Sequence, residues 1–262
     1  MSLKERIKFH FKIFGVNLFV MKSSLKGIPF YLKGYKKLRQ QQGENTDFPV
    51  TKSFPMLGDR FAKSGIMSGH YFHQDIYVAR RIFEKNPARH IDIGSRTDGF
   101  VAHLAVFREV EIVDIRVQES KTKNITFRQA DLMQLPEDMI NAYPSLSSLH
   151  AIEHFGLGRY GDPINYFGHI KAIDNITEML QNGGVFYFSV PIGPQRIDFN
   201  AHRVFSIQYI MNLFSVKYEL IRFSYINDIG DFFEDVKLTD EFIANNGGCQ
   251  YGCGIFEWKK VR

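Results

Sequence analysis

Three carboxylates, a glycine turn and a Glu-His pair mark where this chain could do chemistry. Asp92 and Gly94 lie in Arg89-His-Ile-Asp-Ile-Gly-Ser-Arg-Thr-Asp-Gly-Phe100. Ile91 and Ile93 alternate with polar residues up to Gly94. From Phe100 apolar side chains return at helical spacing, as Val101, Leu104 and Ala105. That pattern predicts a buried strand, a tight turn and the start of a helix. Such a turn leaves backbone N–H groups free for the polar part of a nucleotide-like ligand. Asp114 lies near the end of the next predicted strand (110–115), and Asp131 follows the third (125–130). A carboxylate after the second strand can accept both hydroxyls of a ribose, and one after the third can accept from an adenine amino group. Singly, each is equally a solvated strand end or a helix cap; the joint spacing points to a nucleoside.

The fourth predicted strand (146–152) ends at Glu153-His154. His150-Ala-Ile-Glu-His154 spells the H-x-x-E-H of helical zinc peptidases. Here a strand precedes it and Phe155-Gly-Leu-Gly follows, so His150 and His154 are not expected on one helical face. Cys249 and Cys253, the only cysteines, are too few for a disulfide framework. No metal site is expected. His154 is a candidate general base, because an imidazole titrates near neutrality; Glu153 would orient it or contact a cofactor. Both residues could instead hydrogen-bond the glycine-rich loop that follows. His70, Tyr71 and His73 precede the central strand by one helix and either fold over a pocket or cap that helix. Arg159 and Tyr160 in the loop after strand four, and His202 and Arg203 after strand five, are candidate substrate contacts; surface loop is the alternative. Arg96, unusual in such a turn, offers a planar fork for a carboxylate or a phosphate.

These positions need a scaffold, and the periodicity supplies one. Predicted strands alternate with helices over 70–215, which implies a doubly wound, mostly parallel sheet covered on both faces. Helix 70–84 is expected to bury Phe72, Ile76, Ala79 and Phe83. A short helix is expected over 135–142. A long one is expected from the Asp162-Pro163 N-cap to Gly183-Gly184, followed by strand 185–190 and helix 206–214. Strands 218–225 and 254–260 have no helix between them and suit an antiparallel edge. Ligands bind beyond the carboxyl ends of such strands, where the strand order reverses, and most of the candidate residues fall there.

The 262 residues are 44% hydrophobic and 23% charged, an ordinary globular balance. Residues 1–43 carry ten Lys or Arg against one acidic residue, while the rest carries 23 against 27. A basic arm on a mildly acidic body directs attention to an anionic surface for the arm alone. Helices are expected over 3–21, with Leu3, Ile7, Phe11, Phe14, Leu18 and Met21 on one face, and from Pro29 to about 41. Either they lie on anionic lipid or they pack on protein. The apolar run 13–21 is too short to span a membrane, and no cleavable leader is expected. No nucleic-acid-binding motif is present.

The order of parts resembles the S-adenosylmethionine-dependent methyltransferases of the Rossmann-like class. The wording of His70-Tyr-Phe-His-Gln-Asp75, Asp92–Phe100, Val113-Asp-Ile-Arg116 and Leu149–Pro163 is similar to domain-of-unknown-function family 268, over about residues 54–215. The resemblance implies a basic helical arm (1–45), a methyltransferase-like domain (46–262) and a bacterial surface-polysaccharide setting. It implies S-adenosylmethionine held by Asp92, Gly94, Ser95, Arg96, Gly99, Asp114, Asp131 and His150. His154 and Glu153 would act on a hydroxyl of a sugar, nucleotide sugar or lipid-linked glycan, in a cytoplasmic protein peripheral on the inner membrane. The alternative is a non-catalytic nucleotide or nucleotide-sugar binding subunit; the departure at Arg96 supports it.

Overall fold

The strand that leads into the glycine turn lies near the middle of an eight-stranded sheet. The computed structural model describes residues 10–11, 13–44, 47–119 and 121–261. The chain divides into two compact units, one through Ile66 and one from Met67 onward.

In the first unit, helix α1 (Leu18–Gln42) is continuous through Pro29, where two helices were expected. Asn17 caps it, its Oδ1 accepting from the N–H groups of Phe19 and Val20. Proline removes one intrahelical donor, and the rest of the ladder carries the helix across it. Of the face expected over 3–21, Leu3 and Ile7 lie outside the described residues; the described remainder is not one helix, because the chain turns over residues 14–17 with Gly15 at φ +74°, which separates Phe11 and Phe14 from Leu18 and Met21. Within this unit, Gly27 is the buried position on α1, packed so closely on Leu57 that a Cβ would reach its carbonyl oxygen at 2.0 Å. Phe19, Leu25, Leu32 and Leu38 are exposed. No described helix is long and apolar enough to cross a membrane.

The second unit opens with α2 (His70–Lys85), then β1 (Ile91–Ile93) and a π-turn (Thr97–Val101) leading into α3 (Ala102–Ala105). There follow β2 (Val110–Asp114), β3 (Ile125–Gln129), β4 (Tyr143–Leu149), α4 (Gly168–Met179) and β5 (Leu180–Ile192). A small ribbon, β6 (Arg196–Asp198) and β7 (His202–Val204), precedes α5 (Ile207–Phe214). The chain ends with β8 (Tyr218–Ile226), β9 (Phe232–Phe233), α6 (Asp240–Ala244) and β10 (Gly252–Lys260). The sheet order is β3-β2-β1-β4-β5-β10-β8-β9. Strands β3 through β5 run parallel, and β10, β8 and β9 close one edge antiparallel. This is the expected Rossmann-like α/β architecture. The order reverses between β1 and β4, so a crevice opens beyond their carboxyl ends.

Both faces are covered. On one, Ile173 and Ile176 of α4 and Ile210 and Phe214 of α5 pack on Phe186, Phe188 and Trp258. On the other, Val78 and Ile82 of α2 with Phe100 and Leu104 pack on Tyr187 and Ile255. Alternating β5 residues serve opposite faces, as strand geometry requires.

Three local expectations need correction. The buried face of α2 is Gln74, Asp75, Val78, Ala79 and Ile82, while Phe72, Ile76 and Phe83 are exposed. The helix turns polar residues inward: Gln74 Oε1 accepts from Ser189 Oγ at 2.6 Å. Residues 135–142 hold only a 3-10 turn, Glu137–Met139. Helix α4 begins at Gly168 and ends before Gly183, and Asp162 caps no helix. Its carboxylate gathers the N–H groups of Gly156, Gly158 and Tyr160 at 2.8–3.2 Å, folding the glycine-rich loop onto itself.

Candidate active site

A cavity of about 480 Å3 opens beyond the carboxyl ends of β1, β2 and β4. That is within the roughly 300–1,000 Å3 typical of small-ligand sites. Gly94, Arg96, Asp114 and Asp131 line one part of it, and Tyr71, His150, Glu153 and His154 another. Arg159, Tyr160 and His202 line it too.

The turn after β1 is built from beneath. Asp92 is 1% exposed, so it underlies the cavity rather than facing it. Its Oδ1 accepts from the Ser95 N–H at 3.1 Å, and its Oδ2 accepts from Ser95 Oγ at 2.6 Å and Ser147 Oγ at 2.5 Å. Ser95 Oγ in turn accepts from the Leu149 N–H at 3.0 Å, tying β1 to β4. Since Ser147 gives its proton to Asp92, it accepts from His90 Nε2–H at 3.0 Å. Burial pushes Asp92 up to about 6 and His90 down to about 3. Gly94 sits at φ +69°, and a Cβ there would come within 3.0 Å of Ala151 Cβ. A Cβ on Gly99 would lie 2.5 Å from Asp75 Oδ2, so α2 approaches the turn against bare backbone. Ser95 and Gly99 therefore shape the turn, whereas Gly94 faces the cavity.

Arg96 does not plug the hollow. Its guanidinium forks onto Asp98 at 3.1 and 2.9 Å and lies 5.1 Å from the Tyr71 ring centre, with the side chain 53% exposed. Asp114 is held by Arg116 through one backbone and two guanidinium donors at 2.6–2.9 Å. That guanidinium stacks 4.3 Å over Tyr160, linking the end of β2 to the loop after β4. Asp131 Oδ1 accepts from the Met133 N–H at 2.9 Å.

His150 follows β4, and Glu153 and His154 lie in a 3-10 turn, so the H-x-x-E-H stretch is not a helix. His150 Nδ1 donates to Glu153 Oε1 at 2.7 Å. Burial opposes charge on both groups; nevertheless Cys253 and Glu153 raise His150 to about 10, and His150 holds Glu153 below the usual carboxylate range. His154 Nδ1 donates to the Ala201 carbonyl at 2.7 Å, leaving Nε2, 3.8 Å from Glu153 Oε1, as the lone-pair nitrogen. Burial lowers the His154 pKa, which keeps the ring neutral at neutral pH.

The other candidates divide. His70 stacks between His150 and Tyr251, at 5.1 and 5.5 Å. His73 stands apart, stacked on Phe232 at 5.5 Å. Arg203 is buried and donates to the carbonyls of Glu153, Phe155 and Tyr166, so it pins the loop instead of meeting a ligand. Residues absent from the sequence reading of the site are Arg116, Tyr251 and Cys253. The first was visible as a cation two residues after Asp114. The other two arrive on the last strand and its turn, far away in sequence. Cys253 has His70 and His150 as neighbours, with the three ligand atoms within 4.8 Å of one another.

The family described as "Caenorhabditis protein of unknown function, DUF268" matches residues 101–237. No curated protein matches the chain in sequence. Among solved structures, the chain is similar to the N-methyltransferase NodS from Bradyrhizobium japonicum WM9 in complex with S-adenosyl-L-homocysteine. Identity is 12%, covering 87% of this chain and 98% of that one, with a TM-score of 0.50. It is also similar to a 1,6-didemethyltoxoflavin-N1-methyltransferase from Burkholderia thailandensis (14% identity, 82% and 94% covered, TM-score 0.49). A third is the [4+2]-cyclase SpnF (13%, 91% and 97%, 0.49). The likeness to NodS, at a TM-score of 0.50 and 12% identity, speaks for the fold alone, and a fold does not assign a reaction.

Proposed function

We propose that this chain, which belongs to the DUF268 family, is an S-adenosylmethionine-dependent methyltransferase acting on a hydroxyl of a sugar, nucleotide sugar or lipid-linked glycan. The observation that carries the reading is convergence: Gly94, Asp114, Asp131 and His154 come from four separate segments and line one cavity. The donor set fits the cofactor. Gly94 leaves bare backbone where a Cβ would crowd Ala151, and two carboxylates stand after β2 and β3 to accept from a ribose and an adenine amino group. Bound there, S-adenosylmethionine would supply an electrophilic methyl group.

The protein's own part is alignment, desolvation and one proton. Tyr71, Arg159 and Tyr160 line the same cavity and orient the acceptor. His154 accepts the hydroxyl proton at Nε2, because Nδ1–H is committed to Ala201. Glu153, 3.8 Å from that nitrogen, stabilises the resulting imidazolium. Arg159 donates to the Ala201 carbonyl at 2.9 Å and fixes the group that holds the ring.

The setting we infer is the cytoplasmic membrane face, with the basic, apolar-studded α1 resting on anionic lipid. A second reading, a non-catalytic nucleotide-sugar subunit, is favoured by Arg116, which already occupies both oxygens of Asp114. Labelled methyl transfer into a glycan and nucleotide-sugar extract separates them. The enzyme reading expects incorporation that falls at least a hundredfold in His154→Gln while cofactor affinity stays within about threefold. No incorporation over background by the native protein would leave the second reading.

A further inference from the structure

We propose that His70, His150 and Cys253 bind a single transition-metal ion of the zinc class beside the cavity. The three residues come from the first turn of α2, the end of β4 and the start of β10. Their ligand atoms lie within 4.8 Å of one another. Tetrahedral ligands at about 2.0–2.3 Å from an ion stand about 3.3–3.7 Å apart, so a shift of about 1 Å in flexible side chains closes the set.

The chemistry around the trio is that of a metal centre. Cys253 is fully buried and the His150 side chain is 4% exposed. His150 Nε2 is buried with no hydrogen-bond partner, an orphan position that costs free energy until it is paired and that becomes a ligand once its proton leaves. Its other nitrogen donates to Glu153 at 2.7 Å, the carboxylate–imidazole relay that orients metal-binding histidines. His150 also holds φ +52°, a left-handed backbone that a non-glycine residue keeps only where its surroundings demand it. Among the described residues, no other group of three or more histidines, cysteines or carboxylates is gathered for a metal.

Two imidazoles and a thiolate select a borderline-soft ion such as Zn2+ over Mg2+ or Ca2+, which take oxygen ligands. The Cys253 proton and the His150 Nε2 proton leave to solvent as the thiolate and the neutral imidazole bind. The dication then balances that thiolate and the Glu153 carboxylate, two negative charges that burial would otherwise disfavour. Three protein ligands is the count at which zinc keeps one position for water or substrate. His150 also lines the cavity, so the ion sits at the cavity's wall.

The test is titration of the full-length protein, stripped with chelator, with Co2+ as a spectroscopic substitute for Zn2+. One Co2+ per chain is expected, with visible bands of a four-coordinate ion and a near-ultraviolet thiolate-to-cobalt band. Stoichiometric Zn2+ should bleach both. Cys253→Ser should remove the thiolate band and Cys249→Ser should keep it. Glu153→Gln should weaken affinity by roughly 10–100-fold. Zinc-edge X-ray absorption on the native protein, which needs no variant to fold, should show one sulfur and two imidazoles. An oxygen-only shell, no band at saturating Co2+, or a band insensitive to Cys253→Ser overturns the proposal. None of these readouts needs a methyl donor or acceptor, so their failure leaves the methyltransferase reading to its own test.

Discussion

Asp92 carries a cost that can be measured. It is 1% exposed, and burial, against three hydrogen bonds from Ser95 and Ser147, pushes its carboxyl from 3.8 up to about 6. A raised carboxyl binds its proton more tightly in the folded chain than in the unfolded one. Stability is therefore highest below the unfolded pKa and falls as pH rises through the folded one. The shift corresponds to about 3 kcal/mol at the limit, at about 1.4 kcal/mol per unit. Between about pH 4 and pH 7 the loss is about 2–3 kcal/mol, flat above. Asp92→Asn keeps the shape and removes the ionisation. Urea unfolding of the full chain, at about pH 4.5 and pH 8, should show the variant gaining on native protein by about 2 kcal/mol as pH rises. Asp75, pushed up by burial to about 6, adds a similar fall that Asp92→Asn leaves in place. A variant less stable than native by the same amount at both pH values would refute the reasoning. The hydrogen bonds of Asp92 would then offset its desolvation.

Gly94→Val should lower stability by about 2 kcal/mol, because it adds a β-branched side chain at φ +69° against Ala151. It should also abolish cofactor binding in calorimetry, whereas Ser95→Ala, beneath the turn, should weaken it without abolishing it. Deleting residues 1–41 should end sedimentation with anionic vesicles, and neither the native nor the truncated chain should sediment with neutral vesicles. Equal sedimentation of the truncated chain would remove the membrane from the account.

The parallel sheet was legible because its strands read as apolar runs, and β1, β2 and β3 fall where that pattern puts them; β4 ends at Leu149, three residues before the expected end, and β5 runs through the Gly183-Gly184 and Pro191 expected to bound it. Candidate residues at strand ends reached the cavity for the same reason: topology alone carries Gly94, Asp114, Asp131 and His154 to one crevice. Polar burial was the blind spot. Periodicity assigns Phe72, Ile76 and Phe83 to the core, whereas α2 buries Gln74 and Asp75 to serve Ser189 and the turn at Gly99. Arg203 and Asp162 looked like ligand contact and helix cap because a charged residue in a loop carries no mark of its partners. Both spend their hydrogen bonds on the loop backbone. Cys253 could not be read as a neighbour of His70, because the pairing of β10 with β5 and β8 is non-local.

The most direct measurement of the central claim is calorimetry of the full chain with S-adenosylhomocysteine. One site per chain is expected. Asp114→Ala should weaken it at least tenfold, through the loss of charged hydrogen bonds worth about 1.5–3 kcal/mol each. No heat of binding from the folded native protein, or affinity indifferent to Asp114→Ala, would contradict it.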